Sequence, residues 1–148
     1  MKRKPWRLGV MLVLVSIAAI AAFGPLGGPV ADASRGVVFD VQVGSPATLT
    51  ARGAAVNVPV NALCSGTRSA FVQVQVTERV GRRIAQGSSG QQISCTGTIQ
   101  ALTITVPATA NSFKKGTAVV NAQIGFCQFC DVGATASAEV PVVNPIKR

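Results

Sequence analysis

The sequence predicts an all-β fold, an antiparallel sandwich of seven to nine short strands. Beyond residue 33 the chain is rich in Val, Thr and Ile and shows period-2 alternation without a sustained helical repeat. Gly, Pro, Asn and Ser interrupt this alternation at intervals of roughly 8–12 residues, which is typical of two packed antiparallel sheets. One face of the clearest strand is formed by Val56, Val58, Val60, Ala62 and Cys64.

The alternation also predicts which side chains of the later strands face the core. Ile84–Gln86 is predicted to be a short strand and Gly87–Gly90 a flexible connector. Pro59 has no N–H to donate to a neighbouring strand. Its strand is therefore predicted either to lie at the edge of a sheet or to point the backbone nitrogen of Pro59 away from a partner strand. The segment before Gly116 is predicted to be a loop anchored by Phe113. The predicted core positions are Ala70, Val72, Val74, Val76, Leu102, Ile104, Val106, Ala118, Val120, Ala122, Ile124, Ala134, Ala136, Ala138, Val140 and Val142.

The N-terminus has the features of a secretory signal peptide. Four basic residues flank the start of an uncharged, mostly apolar run over residues 8–23, and Ala31-Asp32-Ala33 has the small-x-small pattern of a cleavage site. This run is shorter than the roughly 20 residues that cross a bilayer as a helix, which favours cleavage over an uncleaved anchor. We therefore expect residues 1–33 to be removed and residues 34–148 to form one exported domain. That domain is expected to be monomeric, secreted or cell-wall associated, and without a stable membrane span.

All four cysteines lie in the predicted exported part, where disulfides are the default. Three pairings are possible, and we favour Cys64–Cys95 with Cys127–Cys130, because the first two end inward-facing rows and the last two flank a hairpin tip. Closing a loop of about 32 residues contributes roughly 3.5–4 kcal/mol to stability. The Cys127-x-x-Cys130 spacing also fits a redox pair, but no helix is predicted there to activate a thiolate. Cys64 and Cys95 lack the paired spacing of zinc ligands, so we expect no metal site.

Three short motifs carry a resemblance to known proteins. They are Cys64-Ser65-Gly66 at a strand end, Cys95-Thr96-Gly97 at a turn and Phe113-Lys114-Lys115-Gly116 before the penultimate strand. Over residues 50–143 the chain resembles small exported bacterial domains of immunoglobulin-like sandwich fold. More remotely, its size, composition and cysteines are similar to the enediyne-antibiotic apoproteins of the neocarzinostatin type. That second resemblance implies a small aromatic ligand in a cleft of a seven-stranded sandwich.

The composition argues against an enzyme. The chain has no His, which removes the commonest general base. The exported part has four carboxylates, Asp40, Glu78, Asp131 and Glu139, and their spacing does not indicate a facing pair. Glu139 falls on the solvent face of its strand, and Glu78 is predicted to form a surface ion pair with Arg79. The sequence has no phosphate-binding loop or nucleophile elbow, so we expect no catalytic residue and no cofactor.

The segment from Gly125 to Asp131 is the first candidate binding site. Two of the five Phe side chains beyond residue 33 lie there, on a tip that a disulfide would make rigid. A rigid apolar tip binds a partner at low entropic cost. The candidate binding residues are Phe126, Gln128, Phe129 and Asp131. The alternative is that Phe126 and Phe129 plug the end of the sandwich.

Two basic pairs form the second candidate site. The exported part carries ten basic and four acidic side chains, a net charge of +6. Such a charge attracts anionic surfaces over a range that salt shortens. The pairs are Arg82, Arg83 and Lys114, Lys115, in separate loops, and they form an anion-binding patch if both loops lie at one end of the fold. The alternative is that they are solvated turns which only aid solubility.

These observations predict a non-catalytic exported module that binds at the cell surface. The expected partner is an anionic cell-wall polymer or an apolar small molecule. Nucleic acid is not expected, because the exported part has no Trp or Tyr on which bases would stack. The alternative function is a carrier that holds an apolar ligand between its sheets, as the resemblance to enediyne apoproteins implies.

Overall fold

The computed structural model describes residues 36–126 and 132–145, and this part of the chain is all-β. The predicted signal peptide lies outside the described residues. Among those described, the structure has no helix long and apolar enough to cross a membrane. Eight strands and one 3₁₀ turn follow in chain order: β1 Val38–Val43, β2 Ala47–Thr50, the turn Ala51–Gly53, β3 Ala55–Ser65, β4 Ser69–Val80, β5 Arg83–Ser94, β6 Gln100–Ala110, β7 Gly116–Gly125 and β8 Val132–Val143.

Seven of the strands form a closed barrel. Hydrogen-bonded neighbours follow the order β3-β2-β8-β7-β4-β5-β6, and β6 pairs with β3 to complete the ring. The closing β3–β6 ladder extends from Ala55 opposite Pro107 to Ala62 opposite Gln100. β1 pairs with the second half of β3 and lies outside the ring. The ladders are antiparallel except for the pairing of β2 with β8.

The predicted immunoglobulin-like sandwich is therefore wrong. The short β2–β8 and β5–β6 pairings join what would have been the free edges of two sheets into one ring. Alternation did not reveal this, because a sandwich and a barrel both bury one face of each strand. The described residues contain one disulfide, the predicted Cys64–Cys95 bridge. The predicted Cys127–Cys130 bridge lies outside them.

Alternating side chains fill the barrel. Every core position predicted on β3, β4 and β7 is buried, and so are Ile104, Val106, Val140 and Val142. Leu102 and the three predicted core alanines of β8 are partly buried and pack against the same cluster. Each fully buried Val contributes roughly 1.5–3 kcal/mol relative to an exposed one. The interior of the barrel is therefore a packed apolar core.

β5 continues without a break through the predicted flexible connector, so that prediction is wrong. Gly87 lies beside Ala108 of β6, at the junction that closes the ring. A Cβ on Gly87 would overlap the carbonyl oxygen of Pro107. A Cβ on Gly90 would lie 2.5 Å from the ring of Phe71. These two glycines therefore serve close packing rather than flexibility.

Pro59 lies within β3, which has partners on both sides, so the first of its two predicted alternatives, an edge strand, is wrong. The Pro59 carbonyl oxygen accepts a hydrogen bond of 2.8 Å from the backbone N–H of Gly44. Because the N–H and C=O of one strand residue point to the same side, the donor that proline lacks would face the gap between β1 and β2. The ladder is interrupted there, which explains why proline is tolerated.

Replacing Gly87 with Ala tests the closure of the barrel. The added methyl group overlaps the Pro107 carbonyl oxygen, so β5 and β6 must move apart. We expect the free energy of unfolding in urea to fall by about 1–3 kcal/mol. Gly36→Ala is the control, because nothing lies within 4 Å of its Cβ position. If the two variants are equally stable, close approach at the β5–β6 junction does not stabilise the fold.

Candidate functional site

The strand register brings the two predicted basic pairs, Arg82-Arg83 and Lys114-Lys115, to the same end of the barrel. The β4–β5 hairpin turns between Val80 and Arg83, which lie opposite each other. Glu78 of β4 lies opposite Ala118 of β7, so β7 begins beside the end of β4. The loop that precedes β7 carries Lys114 and Lys115. The two pairs, which are more than thirty residues apart in sequence, therefore share one surface.

We call this surface the basic end. In the described ranges one further basic side chain, Arg68, follows β3 at the opposite end. The exposed carboxylates Asp40 and Glu139 lie within strands and not in the loops of the basic end. The structure therefore separates positive charge to one end of the molecule. The exposed cations of the basic end are Arg52, Arg79, Arg82, Arg83, Lys114 and Lys115.

The β6–β7 loop, residues 111–115, ties the basic end together. The side-chain amide of Asn111 donates to the carbonyl oxygen of Ile84 at 2.8 Å, which attaches the loop to the β4–β5 hairpin. The backbone N–H of Phe113 donates to the carbonyl oxygen of Gly53 at 2.8 Å, which attaches it to the 3₁₀ turn. Phe113 is completely buried, as predicted for the anchor of this loop. All three basic segments are thus held in fixed relation.

The 3₁₀ turn has an unusual backbone that presents Arg52 to solvent. Ala51, Arg52 and Gly53 all have positive φ angles, of 46°, 58° and 91°. A non-glycine residue in this region costs roughly 1–2 kcal/mol. The Phe113 carbonyl oxygen occupies the space that a Cβ at position 53 would need, so only glycine fits. The contact with the β6–β7 loop therefore sets the shape of this turn.

Glu78 lies buried beneath the basic end, so the predicted surface ion pair with Arg79 is wrong. Its side chain is 2% exposed. One carboxylate oxygen accepts a hydrogen bond of 2.9 Å from the backbone N–H of Lys114. Burial raises the pKa of Glu78 above its ordinary value of 4.5, and the hydrogen bond and the Lys114 charge oppose this only in part. The signal was in the sequence, because Glu78 continues the buried row that runs from Ala70 to Val76.

A cavity of about 640 Å³ opens between the 3₁₀ turn and the β6–β7 loop. The described residues of its lining combine apolar side chains with cations and include no carboxylate. The Thr50 hydroxyl oxygen is buried and has no hydrogen-bond partner among the described residues. Such a group costs roughly 1–3 kcal/mol. The cavity is lined by Leu49, Thr50, Ala51, Arg52, Gly53, Phe113, Lys114, Lys115, Asn144 and Pro145.

Most of the other predicted binding loop, at the hairpin tip, lies outside the described residues. This applies to Gln128, Phe129 and Asp131. Phe126 is 48% exposed, and its ring packs edge-on against Phe39 with centroids 5.1 Å apart. Phe126 therefore does not plug the barrel. Gly125 lies opposite Phe71 near the start of β4, so Phe126 lies at the end of the barrel opposite the basic end.

The described residues contain no group of three His, Cys, Asp or Glu side chains close enough to hold a metal ion. The exposed Asp40 and the exposed Glu139 lie on β1 and β8, and the buried Glu78 lies on β4. What the basic end offers chemically is therefore the recognition of anions through fixed cations.

Comparisons with known proteins give likenesses to solved structures but no match by sequence. No protein-family model and no curated protein matches the sequence. Among solved structures, the chain is similar to the CARDB domain of a Pyrococcus furiosus protein, which was solved in complex with di-metal ions. The identity is 12%, the TM-score is 0.39, and the match covers 74% of this chain and 94% of that domain. Nothing about the ligands of this chain follows from so weak a likeness.

Replacing Glu78 with Gln tests the buried carboxyl. Because the folded-state pKa is raised, Glu78 favours folding at a pH below its unfolded pKa, and this contribution is lost as the pH rises through the folded pKa. Gln removes the titration and keeps an acceptor for the Lys114 N–H. We expect the variant to gain stability relative to the native protein as the pH rises from about 4 to about 8 in urea denaturation. A difference that stays constant over this range would contradict the assignment.

Proposed function

We propose that this protein is an exported, non-catalytic binding module whose basic end docks on an anionic cell-wall polymer. The observation that carries the proposal is the convergence of three loops with exposed cations at one end of the barrel. Hydrogen bonds from Asn111 and Phe113 fix these loops relative to one another. Solvated turns that serve only solubility need no such convergence.

The electrostatics of the basic end favour a polymer over a single small ion. Each exposed cation alone contributes little, typically under about 1 kcal/mol for one ion pair. A polymer with repeated negative groups contacts several of the six cations at once, so that the small contributions add. Salt screens exposed charges over about 10 Å at 0.1 M and about 3 Å at 1 M, so binding of this kind weakens sharply with salt.

Other features of the chain support export and a non-catalytic role. The basic start, apolar run and small-x-small site of residues 1–33 have the pattern of a signal peptide. The Cys64–Cys95 disulfide fits an oxidising compartment. The absence of His from the sequence, and the separate strands that hold Asp40, Glu78 and Glu139, leave general acid–base catalysis without an evident pair.

The alternative function, a carrier that holds an apolar ligand inside the fold, has no support from the interior. Side chains from the seven strands of the ring fill it, and the largest of those that are completely enclosed include Val58, Val74, Val120 and Ile124. The cavity beside Leu49 lies at the basic end instead.

Removal of three exposed cations from the basic end should weaken retention on an anionic polymer. The variant is Arg82→Gln/Arg83→Gln/Lys115→Gln. The variant and the native protein are recovered from the medium of an exporting cell, and their retention on immobilised polyphosphate is measured over a range of salt concentrations. An intact mass shows whether residues 1–33 have been removed. We expect the slope of log retention against log salt to fall by roughly two to three, because fewer counterions are released.

A variant with the same net charge controls for non-specific attraction. Arg68→Gln/Gln91→Glu/Ile99→Glu also lowers the net charge by three, at exposed positions near the opposite end. The proposal predicts that the control keeps the native slope. Equal loss in both variants would show that net charge alone governs retention and would refute a docking surface at the basic end.

A further inference from the structure

We infer that the cavity at the basic end is a binding site for a small amphipathic anion, with an apolar body against Leu49, Ala51 and Pro145 and an acidic group at Arg52 and Lys115. This site lies within the surface proposed for polymer docking but is a separate activity. It takes one molecule with a carboxylate, sulfonate or phosphate group rather than a chain of charges.

The size and walls of the cavity fit such a ligand. Its volume of about 640 Å³ lies within the range of roughly 300–1,000 Å³ that is usual for small-molecule sites. Ala51 and Pro145 are exposed apolar lining residues, and Leu49 beside them is 8% exposed. The buried Phe113 supports this apolar floor from beneath. The presence of both an apolar floor and charged walls distinguishes this place from the rest of the basic end.

The charge of the lining selects the sign of the ligand. Arg52, Lys114 and Lys115 contribute three positive charges, and none of the lining residues that the structure describes is acidic. The buried carboxylate near this loop belongs to Glu78, and one of its oxygens is bonded to the backbone N–H of Lys114. A cationic or neutral molecule of the same shape gains nothing from these side chains, whereas an anion forms charge-assisted hydrogen bonds with them.

The site is already shaped for binding. The hydrogen bond from Phe113 to Gly53, and the close contact of their backbones, hold the two walls together. Binding to preformed walls avoids the entropy cost of ordering a loop, which is the usual loss in binding at surface segments.

Two probes test the inference and separate an aromatic ligand from an acyl chain. They are 1-anilinonaphthalene-8-sulfonate, followed by fluorescence, and dodecanoate, followed by titration calorimetry and by displacement of the first probe. Dodecylamine and dodecanol have the same chain without the negative charge. We expect saturable binding of at least one anionic probe with one site per protein. The amine and the alcohol should bind about tenfold more weakly or not at all.

Matched charge reversals locate the site. Arg52→Glu/Lys115→Glu changes two lining residues, whereas Arg82→Glu/Arg83→Glu makes the same charge change at the basic end outside the cavity lining. We expect the first pair to weaken probe binding about tenfold or more and the second to weaken it less than about twofold. Far-ultraviolet circular dichroism confirms that both variants keep the native β signature.

The outcomes distinguish this inference from the proposed polymer docking. Absence of saturable binding, or equal weakening by both charge reversals, overturns the cavity as a site. A protein that binds dodecanoate but is not retained on polyphosphate supports the cavity site and refutes polymer docking. Retention on polyphosphate without saturable binding of either probe supports polymer docking and refutes the cavity site.

Discussion

Phe113 and the backbone groups beside it hold three segments together that are far apart in the chain. These segments carry exposed cations, which repel one another and would separate if they were free to move. Burial of one Phe side chain contributes roughly 1.5–3 kcal/mol. Each of the hydrogen bonds from Asn111, Phe113 and Lys114 adds about 1 kcal/mol. Repulsion between exposed charges costs a fraction of that, so the apolar anchor prevails and the charge cluster persists.

Because apolar side chains fill the interior of the barrel, the surfaces that could bind a partner lie at its ends. One end is positive and contains the cavity beside the 3₁₀ turn. At the other end, the described residues include Arg68 and a group of exposed apolar side chains, Val38, Phe126 and Val132, on β1 and beside the β7–β8 connection. A filled core gives both ends a rigid support, which suits a protein that binds at its ends rather than by enclosing a ligand inside the barrel.

Sequence reasoning succeeded where the signal was local and periodic. Alternation on β3, β4 and β7 identified the buried rows, and their inward-facing ends predicted the Cys64–Cys95 disulfide. It failed where the outcome depends on contacts between strand edges, because no periodicity records whether β5 pairs with β6. Gly87 and Gly90 resembled a flexible linker, since the space that a Cβ would occupy is visible only in three dimensions.

For the candidate site too, the sequence revealed local features but not the contacts between distant segments. The two basic pairs were evident in the sequence, but their meeting at one end depends on the register of four strands. Arg52 and Thr50 lie more than sixty residues before Lys114 and belong to no motif, so sequence reasoning missed them. The burial of Glu78, in contrast, could have been predicted, because Glu78 continues the alternating buried row of β4. The neighbouring Arg79 led instead to the prediction of a surface ion pair.

Backbone amide shifts in the ¹⁵N-labelled exported protein, titrated with short-chain polyphosphate, show where on the barrel the polymer binds. If it docks on the basic end, the shifts concentrate at Arg52, at the β4–β5 hairpin and at Lys114 and Lys115, with little change at Arg68. Shifts centred on Phe126 and Val132, or spread evenly over the barrel, would contradict a docking surface at the basic end.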